Sequence, residues 1–230
     1  MKEKPVAFFD IDGTIFRSSL LVELVDCLIK EEVFPAEASD MFYEDLMAWR
    51  NREGSYEAYI KSVVQTYITF IKGVHYGALA DIGKKVVSLQ SKKVYRYTRD
   101  LLKELNQQGY VTIAISQSPK TVLDTFCKQY GFDKVYGRMY EIGPQDKFTG
   151  EIIDEYLIQN KANIVKRVFD RNPDLTKINS IAVGDTDGDI SLLESVEKPI
   201  CFNPNQVLYD YARRMNWSVV VERKDVIYKL

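Results

Sequence analysis

Phe8-Phe9-Asp10-Ile11-Asp12-Gly13-Thr14-Ile15-Phe16 is the stretch that decides how this chain is read. The apolar run from Val6 to Phe9 reads as a short buried strand that delivers Asp10, and Asp12 follows on a turn containing Gly13. Two carboxylates spaced two residues apart on an extended backbone point the same way, so both line one pocket. Such a pair is costly unless a cation or a proton lies between its members. Asp-Gly after a strand is also ordinary turn chemistry, so the weight of the reading falls on what lies downstream.

Two further apolar strands end in polar residues of the same kind. Tyr110 to Ile115 runs into Ser116-Gln117-Ser118-Pro119, and Ile178 to Val183 runs into Gly184-Asp185-Thr186-Asp187-Gly188-Asp189. Strand and helix alternate from Val94 onward, which predicts a parallel sheet with helices on both faces, a Rossmann-like α/β fold. Ser118 and Pro119 predict an N-cap and first turn, and Lys161 opens another helix. Val135 to Ile142 and Phe148 to Ile153 predict a small hairpin. Between the first strand and Val94 the pattern is helical almost throughout. Ser18 or Ser19, Pro35 and Gly54-Ser55 mark three helix starts, and a fourth helix is expected near Ala78 to Leu89. That is too much chain for a simple crossover, so residues 18–88 are expected to form an inserted helical cap, with residues 1–17 and 89–230 as the core.

Composition narrows the chemistry. Lysine plus arginine (31) nearly balance aspartate plus glutamate (33), so no strong field argues for nucleic acid or a membrane surface. No apolar run approaches the roughly 18 residues of a membrane span, and Met1-Lys2-Glu3-Lys4 does not resemble a signal peptide; a cytoplasmic protein is expected. Cys27, Cys127 and Cys201 form no C-x-x-C pair, and His75 is the only histidine. A zinc centre and a cysteine phosphatase loop are therefore not suggested, and catalysis must rest on carboxylates, hydroxyls and lysine.

In an open parallel sheet, sites form beyond the carboxyl ends of the strands, which brings Asp10, Ser116 and Asp185 into one cleft. Asp10, Asp12, Asp185 and Asp189 together offer all-oxygen coordination of the kind that suits Mg²⁺. A carboxylate attacking a phosphate monoester needs such a cation, a lysine such as Lys161 and N–H donors to offset like-charge repulsion. Asp10 could then attack phosphorus, and Asp12 could protonate the leaving oxygen and deprotonate the water. Taken singly, each residue has a plainer reading: Ser116, Asp185 and Asp189 as helix caps, Lys161 as a solvated charge.

DIDGT at Asp10 to Thr14, the strand ending at Ser116, Lys161, and GDTDGD from Gly184 to Asp189 resemble the four motifs of the haloacid dehalogenase superfamily of phosphohydrolases. The helical insertion, Phe148-Thr149-Gly150-Glu151 and Ser116-Gln117-Ser118-Pro119 resemble its phosphoserine-phosphatase-like branch. The resemblance implies a Mg²⁺-dependent phosphomonoester hydrolase that forms an aspartyl-phosphate on Asp10 and acts on a small phosphorylated metabolite. It implies Mg²⁺ held by Asp10, the Asp12 carbonyl and Asp185, with Asp189 in support. Phosphoryl oxygens would be bound by Ser116, Lys161 and N–H groups near Gly13 and Gln117. Where that branch carries a glutamate nine residues after the nucleophile this chain has Ser19, and Val63 stands where its cap has an arginine. The resemblance thus implies a phosphatase without implying phosphoserine. Phosphotransfer through the same intermediate, a phospho-accepting signalling module and a non-catalytic scaffold are the alternatives.

Overall fold

Ala7 and Phe9 enter one hydrophobic core while Val6 and Phe8 enter another, and all four side chains are fully buried. A strand covered on both faces must lie inside a layered α/β sheet. The computed structural model, which describes residues 3–230, places it there; Met1 and Lys2 of the expected core segment lie outside the described residues.

The chain begins with β1 (Lys4–Asp10) and then four helices, α1 (Leu20–Lys30), α2 (Asp40–Arg50), α3 (Tyr56–Ile71) and α4 (Tyr76–Gln90). It continues through α5 (Arg96–Gln107), β2 (Val111–Pro119), α6 (Lys120–Tyr130), β3 (Lys134–Ile142) and β4 (Phe148–Ile153). The last part comprises α7 (Glu155–Gln159), α8 (Lys161–Arg171), β5 (Leu175–Gly184), α9 (Ile190–Leu193), β6 (Lys198–Phe202), α10 (Gln206–Met215), β7 (Ser218–Arg223) and β8 (Val226–Lys229). The strands form one sheet in the order β4-β3-β2-β1-β5-β6-β7-β8. All neighbours are parallel except β4 and β8, which pair antiparallel at the two edges.

The two faces are covered by different helices. Leu102 and Leu105 of α5, Val122 and Phe126 of α6, and the apolar sides of α1 to α4 share one core with Ala7 and Phe9. Ile164 and Val168 of α8, Leu192 and Leu193 of α9, and Leu208 of α10 pack on the other face with Val6 and Phe8. α1 to α4 are tied to the β3–β4 hairpin by backbone bonds: the Gly73 N–H donates to the Phe148 carbonyl at 2.8 Å, and the Phe148 N–H to the Val74 carbonyl at 2.9 Å. Tyr67 of α3 meets Tyr140 of β3 at 5.1 Å between ring centroids.

Several expected details shift. Ser55 caps α3 as anticipated, its hydroxyl accepting from the Ala58 N–H at 3.1 Å. Pro35, by contrast, opens a single 3₁₀ turn, Ala36–Ser39, ahead of α2. α4 is longer than its two glycines suggested, because buried Leu79, Ile82, Val86 and Val87 supply packing that outweighs weak propensity. Ser118 is not a helix cap: pairing of Pro119 with Arg138 carries β2 on to Pro119, and α6 starts at Lys120.

Candidate active site

The register explains the meeting of distant residues. β1 is flanked by β2 and β5, with Asp10 opposite Ile115 and Phe9 opposite Val183. Ser116 and the Gly184-Asp185 turn therefore come off the same sheet edge as Asp10, one step beyond the last paired residues.

Lys161, at the first position of α8, reaches into this edge. Its Nζ donates to Asp10 Oδ1 and to Asp189 Oδ1, each at 2.5 Å, and all three side chains are nearly fully buried. Burial works against the ammonium charge, but the two carboxylates outweigh it and hold the Lys161 pKa above its ordinary value. Asp10 is raised to about 7, chiefly by burial; Lys161 opposes the rise, while Asp189 and Asp12 add to it. Asp10 Oδ2 is buried and has no hydrogen-bond partner.

Asp185 completes the group, since one carboxylate oxygen each from Asp10, Asp185 and Asp189 lie within 4.8 Å of one another. Its pKa is pushed well up by burial and then by repulsion from Asp10 and Asp189. The Thr14 hydroxyl donates to Asp185 Oδ1 at 3.2 Å. Asp189 Oδ2 is committed to its own loop, accepting from the Asp185 and Thr186 N–H groups at 3.1 Å each. Two glycines make room. A Cβ on Gly13, whose φ is +86°, would lie 2.0 Å from Asp185 Oδ2, and one on Gly184 would lie 2.5 Å from the Asp189 Cβ.

This donor set fits a hard divalent cation. One lysine faces three clustered carboxylates, one buried oxygen has no donor, and two of the carboxyls are driven toward protonation by burial and by repulsion from their neighbours.

Asp12 is placed differently. Its Oδ1 accepts from the Leu20 N–H at 2.5 Å, so Asp12, rather than Ser18 or Ser19, caps α1. Its Oδ2 accepts from the Ser116 hydroxyl at 2.5 Å and the Ser118 hydroxyl at 2.8 Å. Burial raises its pKa against the pull of these bonds. Ser116 thus touches a carboxylate, and its Oγ also accepts from the Ser118 N–H at 2.9 Å. The Gly13 N–H is spent inside the loop on the Phe16 and Ser18 carbonyls. Gln117 is exposed, and its Oε1 accepts from Arg138 Nη2 at 2.9 Å.

Sequence reasoning missed Thr14 and Ser118 as an Asp12 ligand, whereas Tyr56 is among the cap aromatics it offers as pocket-shaping. The Tyr56 phenol, in the first turn of α3, is raised by burial and then by the charge of Asp12. Ser19 and Val63, the two departures from the resembled branch, are both buried, Val63 within the main core.

A parallel α/β sheet whose central carboxyl edge gathers four aspartates and a buried lysine defines a hydrolase class, and the chain belongs to it by sequence as well. The model of the haloacid dehalogenase-like hydrolase family matches residues 7–194, so this protein is a member of that family. A phosphoserine phosphatase of Archaeoglobus fulgidus is 26% identical over 212 residues, which is 92% of this chain and 56% of that protein; the chain thus spans little more than half of that relative. A phosphoserine phosphatase of Methanocaldococcus jannaschii is 20% identical, covering 98% of this chain and 95% of the relative. A histidinol-phosphatase of Neisseria meningitidis is 22% identical, covering 94% and 98%. Among solved structures, a Bordetella pertussis Tohama I protein of unknown function superposes with a TM-score of 0.74 at 19% identity, covering 95% of this chain and 98% of that one. A substrate-bound phosphoserine phosphatase superposes at 0.61 with 19% identity and 91% coverage of each chain.

Proposed function

We propose that this protein is a Mg²⁺-dependent phosphatase that hydrolyses a small phosphorylated metabolite through an aspartyl-phosphate on Asp10. The observation that carries the proposal is Asp10 itself: Oδ1 is pinned by Lys161, while Oδ2 is buried at the sheet edge without a partner. A carboxylate oriented by a lysine, with one oxygen left for a cation, meets the needs of nucleophilic attack on phosphorus.

Asp10, the backbone carbonyl of Asp12 and Asp185 would hold the cation, with Asp189 fixing Lys161 and the Asp185 loop. When bound, Mg²⁺ offsets the repulsion between the carboxylate and the phosphoryl group. An Asp10 oxygen forms the bond to phosphorus as the bond to the leaving oxygen breaks. Asp12, its pKa raised, gives its proton to that leaving oxygen. Asp12 then takes a proton from water as the water attacks phosphorus, and inorganic phosphate leaves with Asp10 restored. The Ser118 hydroxyl aims the Asp12 carboxyl during both transfers. A phosphoryl oxygen can take over the Ser116 hydroxyl, with Lys161 alongside it. The Gly13 N–H needs a rearrangement of its loop before it can join them, whereas the exposed Gln117 backbone lies at the same strand end.

The relatives named phosphoserine phosphatase and histidinol-phosphatase support phosphomonoester hydrolysis and differ in substrate. With Ser19 and Val63 buried, neither of the resembled amino-acid-reading positions presents a charge here. The test is phosphate release from a panel of phosphorylated metabolites, with and without Mg²⁺, beside Asp10→Asn. Mg²⁺-dependent release that falls at least ~10⁴-fold in the variant, with an unchanged circular dichroism spectrum, is expected. Release that survives the substitution in a clean preparation would sink the mechanism.

A further inference from the structure

Arg138 sits in β3 opposite Pro119, three residues past Ser116 along the neighbouring strand, and its side chain is only 8% exposed. A guanidinium stays charged at any pH the fold survives, so a buried one requires a compensating anion or a full set of acceptors. Arg138 has neither. Its Nη2 donates to Gln117 Oε1 at 2.9 Å, while Nε is buried without a partner. None of the eight ion pairs among the described residues includes it. The neighbouring Tyr140 phenol is pushed up by burial and by Glu155, against the charge and hydrogen-bond pull of the guanidinium, and so is a neutral neighbour.

The guanidinium's partner Gln117 is exposed and follows Ser116 directly. That is the carboxyl edge where an α/β sheet binds its ligands. We infer that Arg138, held by Gln117, forms a subsite for a second anionic group on the substrate, a carboxylate or a second phosphoryl group. Its planar fork suits either oxyanion. The substrate class is then a phosphomonoester whose leaving group carries its own negative charge. This deepens the phosphatase reading and rests on it.

Matched, non-hydrolysable probes test the subsite without turnover. Ethylphosphonate, 3-phosphonopropionate and 1,2-ethylenediphosphonate are titrated into the full chain with Mg²⁺ by calorimetry. The wild type is expected to bind at least one doubly functional probe about tenfold tighter than ethylphosphonate, and which one it favours identifies the anion. In Arg138→Gln that ratio collapses to about one, and Arg138→Lys retains part of it. A wild-type ratio near one, or a ratio that survives Arg138→Gln, overturns the inference. Should Arg138→Gln lose its cooperative melt, Gln117→Ala replaces it, with a threefold or larger drop in the ratio expected and an unchanged ratio counting against the subsite. Hydrolysis of p-nitrophenyl phosphate by the wild type separates the two readings. Hydrolysis with a ratio near one removes the subsite alone, whereas no hydrolysis and no phosphonate binding remove both.

Discussion

The carboxyl edge of the sheet and the helical layer of α1 to α4 are built on opposite terms. At the edge, charges are buried and their positions are fixed by one another: Asp10 and Asp189 by Lys161, Asp12 by two serines and a helix N-terminus. In the helical layer, rings fill the space. Trp49 meets Tyr56 at 5.3 Å and Phe42 meets Tyr59 at 6.2 Å, while Arg50 and Arg52 stay exposed. Buried charge tolerates few arrangements, whereas an aromatic cluster tolerates many. Reaction type is therefore written tightly into this chain, and choice of substrate loosely.

The sharpest way to break that contrast is at Gly13. Gly13→Ala places a methyl group where Asp185 Oδ2 now lies and strains a backbone with φ of +86°. A loss of about 100-fold in kcat/KM is expected by steady-state kinetics, because displacing a reacting group by about an ångström costs that much. Near-wild-type activity would mean that Asp185 is not held as tightly as the packing indicates.

A second effect appears in pH. The Asp10 pKa of about 7 lies above its ordinary value of 3.8, so between those limits the folded chain keeps a proton that the unfolded chain releases. The resulting stabilisation is complete below the ordinary value and is lost as pH rises through about 7. Metal-free protein should therefore melt at progressively lower temperature from about pH 4 to pH 7 where this group dominates. Protons and cation compete for the same oxygens, so added Mg²⁺ should raise the melting temperature most above pH 7. Thermal melts in chelator and in Mg²⁺ check both slopes, and a Mg²⁺ effect independent of pH would contradict the arrangement.

The smallest effect is expected in the helical layer. Tyr56→Ala removes one ring near Asp12 while leaving Trp49 and Tyr59 in place. A KM increase of about threefold to fivefold with kcat nearly unchanged is expected, since such a ring contact is worth about 1 kcal/mol. A large fall in kcat instead would move Tyr56 into the chemistry.

What was legible in the sequence follows the same division. Asp10, Ser116 and Asp185 could be read because each ends an apolar strand, and strand ends in such a sheet converge. Lys161 could be read as a helix start aimed at that edge. Ser118 was misread because Ser-Pro is a strong local cap signal, and the pairing that extends β2 is supplied by Arg138, 20 residues later. The cap of α1 was assigned to Ser18 or Ser19 because the return of the chain onto Asp12 leaves no trace in local pattern. β8 escaped notice because Val226–Lys229 is a short, exposed edge strand with one alternation of character. Arg138 carries no local signal at all; only the absence of a partner in three dimensions marks it.

The backbone bonds that join Gly73 and Val74 to Phe148 have a mechanical consequence. They pin the far end of α3 to the sheet, while its first turn, bearing Tyr56, is held mainly by rings. A helix clamped at one end and cushioned at the other swings about the clamp, and displacement grows along its 16 residues. The end of α3 that carries Tyr56, packed on Trp49, therefore has the longer lever arm.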